Sequence, residues 1–313
     1  MRIVYMGTPQ FAVPCLEALI DSTYDVVGLV CQPDKKQGRT MQVKSPPTKE
    51  VAIKHKIPVL QPTTAKDPFF ISQLSNLKPD LLVTCAYGKI LPLQVLNIPP
   101  LGCINVHASL LPALRGAAPI QWAIIRGMKQ TGITTMLTDI GMDTGPMLLH
   151  ETIAIDDNMT AGELHDLLML RGPKVLLNTL ALIQDHQWNP IAQNETDATY
   201  APMLKKEDGN IIWTQSSSEI YNLIRGTSPW PGAYSKMHGR ILKIFQAQIA
   251  NELEIQEPLP AGTIRAVSKE GILVSCGHGN LLITEVQPES GKRMDAYSFA
   301  NGNKISIGDI YEY

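Results

Sequence analysis

The sequence predicts an α/β protein in two parts, a doubly wound parallel-type sheet followed by a small β-barrel. Three observations carry that expectation. Apolar strand-like runs alternate with helix-spaced segments up to about residue 185, a polar and weakly patterned stretch follows, and from about residue 205 short strands come punctuated by glycine. The 313 residues are 44% hydrophobic and 18% charged, which supplies apolar material for two cores. A first domain is therefore expected over 1–185, a linker over 186–204 and a second domain over 205–313.

RIVYMG opens the chain as a β-branched and aromatic run closed by Gly7, and FAVPCLEALI behind it keeps helical spacing despite Pro14. The alternation continues with DVVGLVC at 25–31, a helix near 47–56, IPVL at 57–60, a helix near 68–77 and LLVTCAY at 81–87. GCINVH at 102–107, a helix near 118–127 and GITTMLTD at 132–139 complete it. Near-continuous apolar strands suit a parallel sheet covered on both faces, with its ligand beyond the strand C-termini. The first turn, MGTPQFAVP, lacks the GxGxxG that admits a pyrophosphate, which argues against a dinucleotide. ELHDLLMLRGPKVLLNTLALI at 163–183 reads as one long helix, with a kink expected at Gly172-Pro173. In the second part a helix at SSEIYNLIRG accompanies the strands SKMHGRILKIFQA, GTIRAV, GILVSC and GNLLITEV, a pattern suited to a barrel of the oligonucleotide-binding type.

A formal net charge of −2 leaves no general basic excess, so a nucleic-acid partner would need a local basic patch. One such patch exists: QPDKKQGRTMQVKSPPTK at 32–49 sets Lys35, Lys36, Arg39, Lys44 and Lys49 against Asp34 alone. No run approaches the roughly 20 apolar residues of a membrane span, and no leader pattern precedes the first strand, so a cytoplasmic protein with no membrane partner is expected. The five cysteines lack zinc or redox spacing and the seven histidines lack HExxH, so buried reduced thiols and no metal are expected.

The chemistry concentrates between residues 102 and 146. Successive strand residues alternate faces, so Asn105 and His107 project from one face and can share one substrate atom. An amide N–H beside an imidazole suits a carbonyl becoming an oxyanion. The histidine needs a partner that fixes its tautomer or charge, and both Asp139 and Asp143 in the glycine-bracketed TDIGMDTGP are placed to supply it. Spacing does not choose between them.

NVHASLLPALRGAAPIQWAI followed by TGITTMLTDIGMDTGPM resembles the formyltransferases that use 10-formyltetrahydrofolate. MGTPQFAVPCLEAL, QPDKKQGR, AYGKILP, KKEDGNIIW, IRGTSPWPGAY and FANGNK extend the likeness in order through both parts. The resemblance implies that Asn105, His107 and Asp143 match the catalytic trio of a Rossmann-like formyltransferase domain. It implies a folate site at Ser109, Leu110, Leu111 and Pro112, with Tyr87 and Ile90 in the wall that receives the pterin. It also implies contacts to tRNA from Lys35, Lys36, Arg39 and Lys44, with Thr40 standing where the family carries a second glycine after the arginine. The implied reaction moves formyl from 10-formyltetrahydrofolate to the α-amine of methionine esterified to initiator tRNA, carried out by a monomer. Relatives that formylate an amino-sugar nucleotide or hydrolyse the folate share the trio. A non-catalytic RNA-binding protein is the rival from another class.

Overall fold

The computed structural model describes residues 1–37, 42–250 and 259–312. They form two compact units: Met1–Pro119 with Gln130–Ala154 and His165–Pro202, and Ile120–Lys129 with Ile155–Leu164 and Met203–Tyr313. The segment read as a linker thus groups with the first unit up to Pro202, while two short segments from within residues 1–185 group with the second.

The first unit contains β1 (Arg2–Gly7), α1 (Val13–Ile20), β2 (Asp25–Val30), the ribbon β3 (Lys35–Gln37) and β4 (Gln42–Lys44), α2 (Pro47–Lys54), β5 (Val59–Leu60), α3 (Pro68–Asn76), β6 (Leu81–Cys85), α4 (Leu93–Leu96) and β7 (Cys103–His107). After α5 (Pro119–Ile125) come β8 (Gln130–Leu137), β9 (Met147–Ala154) and α6 (Ala161–Gln184). Seven strands form one sheet in the order β5-β2-β1-β6-β7-β8-β9. Side chains on β1 and β6, from Ile3 to Met6 and from Leu81 to Val83, are fully buried, as a strand between two covered faces requires. The helices start where the chain has local reasons to start them: Asp67 accepts from the Phe69 N–H, and proline occupies the first turns of α1, α2 and α3.

The sheet departs from the expected parallel arrangement at one end. β5, β2, β1, β6 and β7 run parallel, but β7 pairs antiparallel with β8 and β8 with β9. The connection from β7 to β8 is long enough for a crossover helix, yet Ile120–Lys129 groups with the second unit instead of covering the sheet. The loop after β8 consequently lies toward the N-terminal end of β7, with Thr138 N–H bonded to the Cys103 carbonyl. α6 runs unbroken through Pro173.

The second unit holds α7 (Ser217–Gly226), β10 (Ala233–Met237), β11 (Arg240–Ala250), β12 (Ile264–Ser268), β13 (Gly271–Ser275), β14 (Asn280–Pro288), β15 (Met294–Asp295) and α8 (Ala296–Asn303). Ser216 and Glu219 form a reciprocal capping box that starts α7 where the sequence places a helix. The antiparallel order is β10-β11-β14-β13-β12. The tail joins its two edges: Ile310 bridges Thr263 just before β12, and Glu312 bridges Lys236 on β10. Those pairings complete a ring around a core that includes Trp213, Ile244, Ile272, Leu281 and Tyr311, so the expected barrel closes through its own C-terminal residues.

All five cysteines are buried and unpaired by disulfide. Burial pushes the Cys103 thiol up to about 12, which keeps it inert as a nucleophile. Among the described residues no group of His, Cys, Asp or Glu is placed to hold a metal ion, and no helix is long and apolar enough to cross a membrane.

Candidate active site

β7 carries Asn105 and His107 on one face, and its neighbours fix both side chains. Thr84 is the register partner of Asn105 on β6, and its hydroxyl donates to Asn105 Oδ1 at 2.9 Å. That contact orients the amide, so Nδ2 points at Asp143 Oδ1, 3.3 Å away. His107 is almost fully buried, and its Nε2 lies 3.0 Å from the Leu114 carbonyl. A carbonyl only accepts, so Nε2 carries a proton and Nδ1 is the variable position. Nδ1 faces Asp143 Oδ2 at 3.7 Å, beyond direct hydrogen-bond length. The ring is therefore aimed by Leu114 as well as by the carboxylate.

The two aspartates left open by spacing have different jobs. Asp139 Oδ1 accepts from the Gly141 N–H and the Thr144 hydroxyl, so it builds the turn. Asp143 sits at φ 56, and its Oδ2 accepts from the Gly116 N–H at 2.9 Å. This left-handed residue turns its carboxylate toward both Asn105 and His107. The loop that carries it closes at Gly145, where an added Cβ would lie 1.8 Å from the Leu137 carbonyl oxygen.

The loop after β7 is tied inward. Ser109 is fully buried, its hydroxyl donates to the Ala113 carbonyl, and its own carbonyl accepts from Thr134 on β8. Its side chain is thus spent within the loop, while Leu110 and Pro112 stay partly accessible and Leu111 is buried. Tyr87 belongs to the core beside Val4, Met6 and Leu91, and burial pushes its phenol up to about 12. Ile90, by contrast, is 65% exposed. An open hollow of about 510 Å³ is lined by Leu93, Leu96, Cys103, Leu137 and Ile140, and so adjoins both β7 and the loop that bears Asp143.

On the basic ribbon, Lys35 and Lys44 are exposed and stand directly opposite each other. Like charges so placed repel unless an anion joins them. Partial burial and the nearby Lys35 hold the Lys89 ammonium below its ordinary range. Lys49 is bound by Asp34 at 2.8 Å. Lys36 lies on β3, and Arg39 lies outside the described residues.

Sequence reasoning missed Thr84, Leu114, Gly116 and Gln193. Thr84 is one residue in an apolar strand, and its importance comes only from register. Gln193 sits in the polar stretch read as linker, where nothing marks it.

Residues 1–180 match the family described as formyl transferase, and residues 203–304 match the formyl transferase C-terminal domain. The chain belongs to the formyl transferase family. Among its relatives, the methionyl-tRNA formyltransferase of Acetivibrio thermocellus is 52% identical over 310 residues, 99% of each chain. The methionyl-tRNA formyltransferase of Clostridioides difficile is 47% identical over 308 residues, 98% of this chain and 99% of that one. Solved structures with this fold include WlaRD, a sugar 3N-formyl transferase crystallised with dTDP and 5-N-formyl-THF. It aligns at TM-score 0.68 and 18% identity over 90% of this chain and 97% of its own. HypX from Aquifex aeolicus in complex with tetrahydrofolic acid aligns at TM-score 0.63 and 16% identity, covering all of this chain and 51% of its own.

Proposed function

We propose that the chain transfers the formyl group of 10-formyltetrahydrofolate to the α-amine of methionyl initiator tRNA, giving formylmethionyl-tRNA for translation initiation in the cytoplasm. The observation that carries this reading is the convergence of Asn105, His107 and Asp143, in a chain with end-to-end relatives of that activity.

An α-amine has a pKa of about 7.7–8.0, so part of it is neutral near pH 7 and attacks once positioned. Its nitrogen forms a bond to the formyl carbon, whose carbonyl electrons move onto oxygen. Asn105 Nδ2 donates to that oxygen. His107 joins it through Nδ1 only when the ring carries both protons, because Nε2–H is committed to Leu114. Asp143 accepts the proton released by the amine, directly or through water, and the bond from the formyl carbon to folate N10 then breaks as N10 takes up a proton. No covalent enzyme intermediate is required.

The partly accessible Leu110 and Pro112, with Ile90, offer apolar contact to the folate, and the hollow beside β7 can accept a flat ring. Lys35 and Lys44, with Lys36 and Arg39 from the same segment, would neutralise tRNA phosphates. The test is formyl incorporation from 10-formyltetrahydrofolate into charged initiator tRNA, with uncharged tRNA and amino-sugar nucleotides as controls. Formylmethionyl-tRNA is the expected product. Incorporation into the sugar alone, or folate hydrolysis without transfer, would overturn the assignment.

A further inference from the structure

Residues 191–201 do more than connect. Ile191 pairs with Met147 at the start of β9, Thr199 and Ala201 pair with Arg115, and the Thr199 hydroxyl accepts from the Leu114 N–H. The strap therefore grips the loop that aims His107. It also reaches the loop that carries Asp143, through one side chain.

Gln193 Nε2 donates to the Asp143 carbonyl at 2.8 Å and to the Gly145 carbonyl at 2.7 Å. Its Oε1 accepts from Arg115 Nε at 2.9 Å. The amide orientation is unambiguous, since the two carbonyls only accept and the guanidinium only donates. Arg115 is itself fully buried and forks onto both Glu195 oxygens, so Gln193 is anchored to a group with little freedom. The next residue, Gly116, uses its N–H to hold the Asp143 carboxylate. One neighbourhood thus fixes Asp143 at both its backbone and its side chain.

We propose that Gln193 is a positioning residue for the transfer reaction, clamping Asp143 in its left-handed conformation so that its carboxylate faces Asn105 and His107. This rests on the reading of Asp143 as the proton acceptor. A residue at φ 56 is held there by its surroundings, and releasing the two carbonyls lets the loop relax away from β7. Displacement of a reacting group by about 1 Å can cost on the order of 10²-fold in rate.

Gln193→Glu keeps an acceptor for Arg115 but removes both donors, whereas Gln193→Leu removes both functions. Turnover, KM for each substrate and melting temperature are measured for both, beside Asp143→Ala. The expected result is a fall in kcat of about 10- to 100-fold in both Gln193 variants, KM values within about twofold, and a larger loss of melting temperature in Gln193→Leu than in Gln193→Glu. Full turnover in Gln193→Glu, or a kcat loss that merely follows melting temperature, would overturn the clamp while leaving Asp143 in place. Full turnover in Asp143→Ala would overturn the reading of the trio and the clamp with it.

Discussion

Asn105 is useful because Thr84 decides which end of its amide faces the site, and His107 because Leu114 decides which nitrogen is free. The pair was legible in GCINVHASLLP, since period-two geometry puts both on one face. The choice of Asp143 over Asp139 was not legible from spacing, because it depends on a positive φ and on the Gly116 N–H arriving from 27 residues away in sequence. Nor was Glu195, which hydrogen-bonds to buried Arg115; that contact holds its carboxyl below the ordinary carboxylate range. A lowered carboxyl pKa contributes stability that is complete above the unfolded value, about 4.3, and disappears as pH falls through the folded value. Glu195→Gln should therefore lower the melting temperature near neutrality, with a gap from the parent protein that closes as the pH is taken below about 4. A gap that stays constant down to acid pH would show that the ion pair does not stabilise the strap.

At the scale of elements, the helices and parallel strands followed from apolar periodicity, but the reversal of β8 did not. Nothing local to GITTMLTD records direction, which is set by where Ile120–Lys129 packs. That reversal has a functional consequence: the loop after β8 must run back along β7 to deliver Asp143, and it closes only because Gly145 tolerates the Leu137 carbonyl. Gly145→Ala should cost roughly 1–3 kcal/mol of stability and reduce turnover. As a contrast, Gly302 in α8 has no atom within 4 Å of an added Cβ, so Gly302→Ala should be neutral or stabilise by about 0.5–1 kcal/mol. Equal melting temperatures for the two alanine variants would contradict this account of the loop. In the second unit, glycine-punctuated strands announced the barrel, whereas its closure by Ile310 and Glu312 depends on pairings far apart in sequence.

At the scale of the molecule, a net charge of −2 carries no hint of a polyanionic partner, and the exposed Lys35–Lys44 pair is the local exception. Replacing both lysines by alanine should weaken tRNA binding and flatten its dependence on salt by about two units of log–log slope. An unchanged slope would remove the ribbon from the interface. The central claim is that formyl transfer takes place where Asn105, His107 and Asp143 meet. Its most direct test is the single-turnover rate of formylmethionyl-tRNA formation at saturating 10-formyltetrahydrofolate, compared between the parent protein and His107→Ala of equal folded fraction. The account predicts a loss of about 10²- to 10³-fold in that rate. A rate equal to the parent's would contradict it.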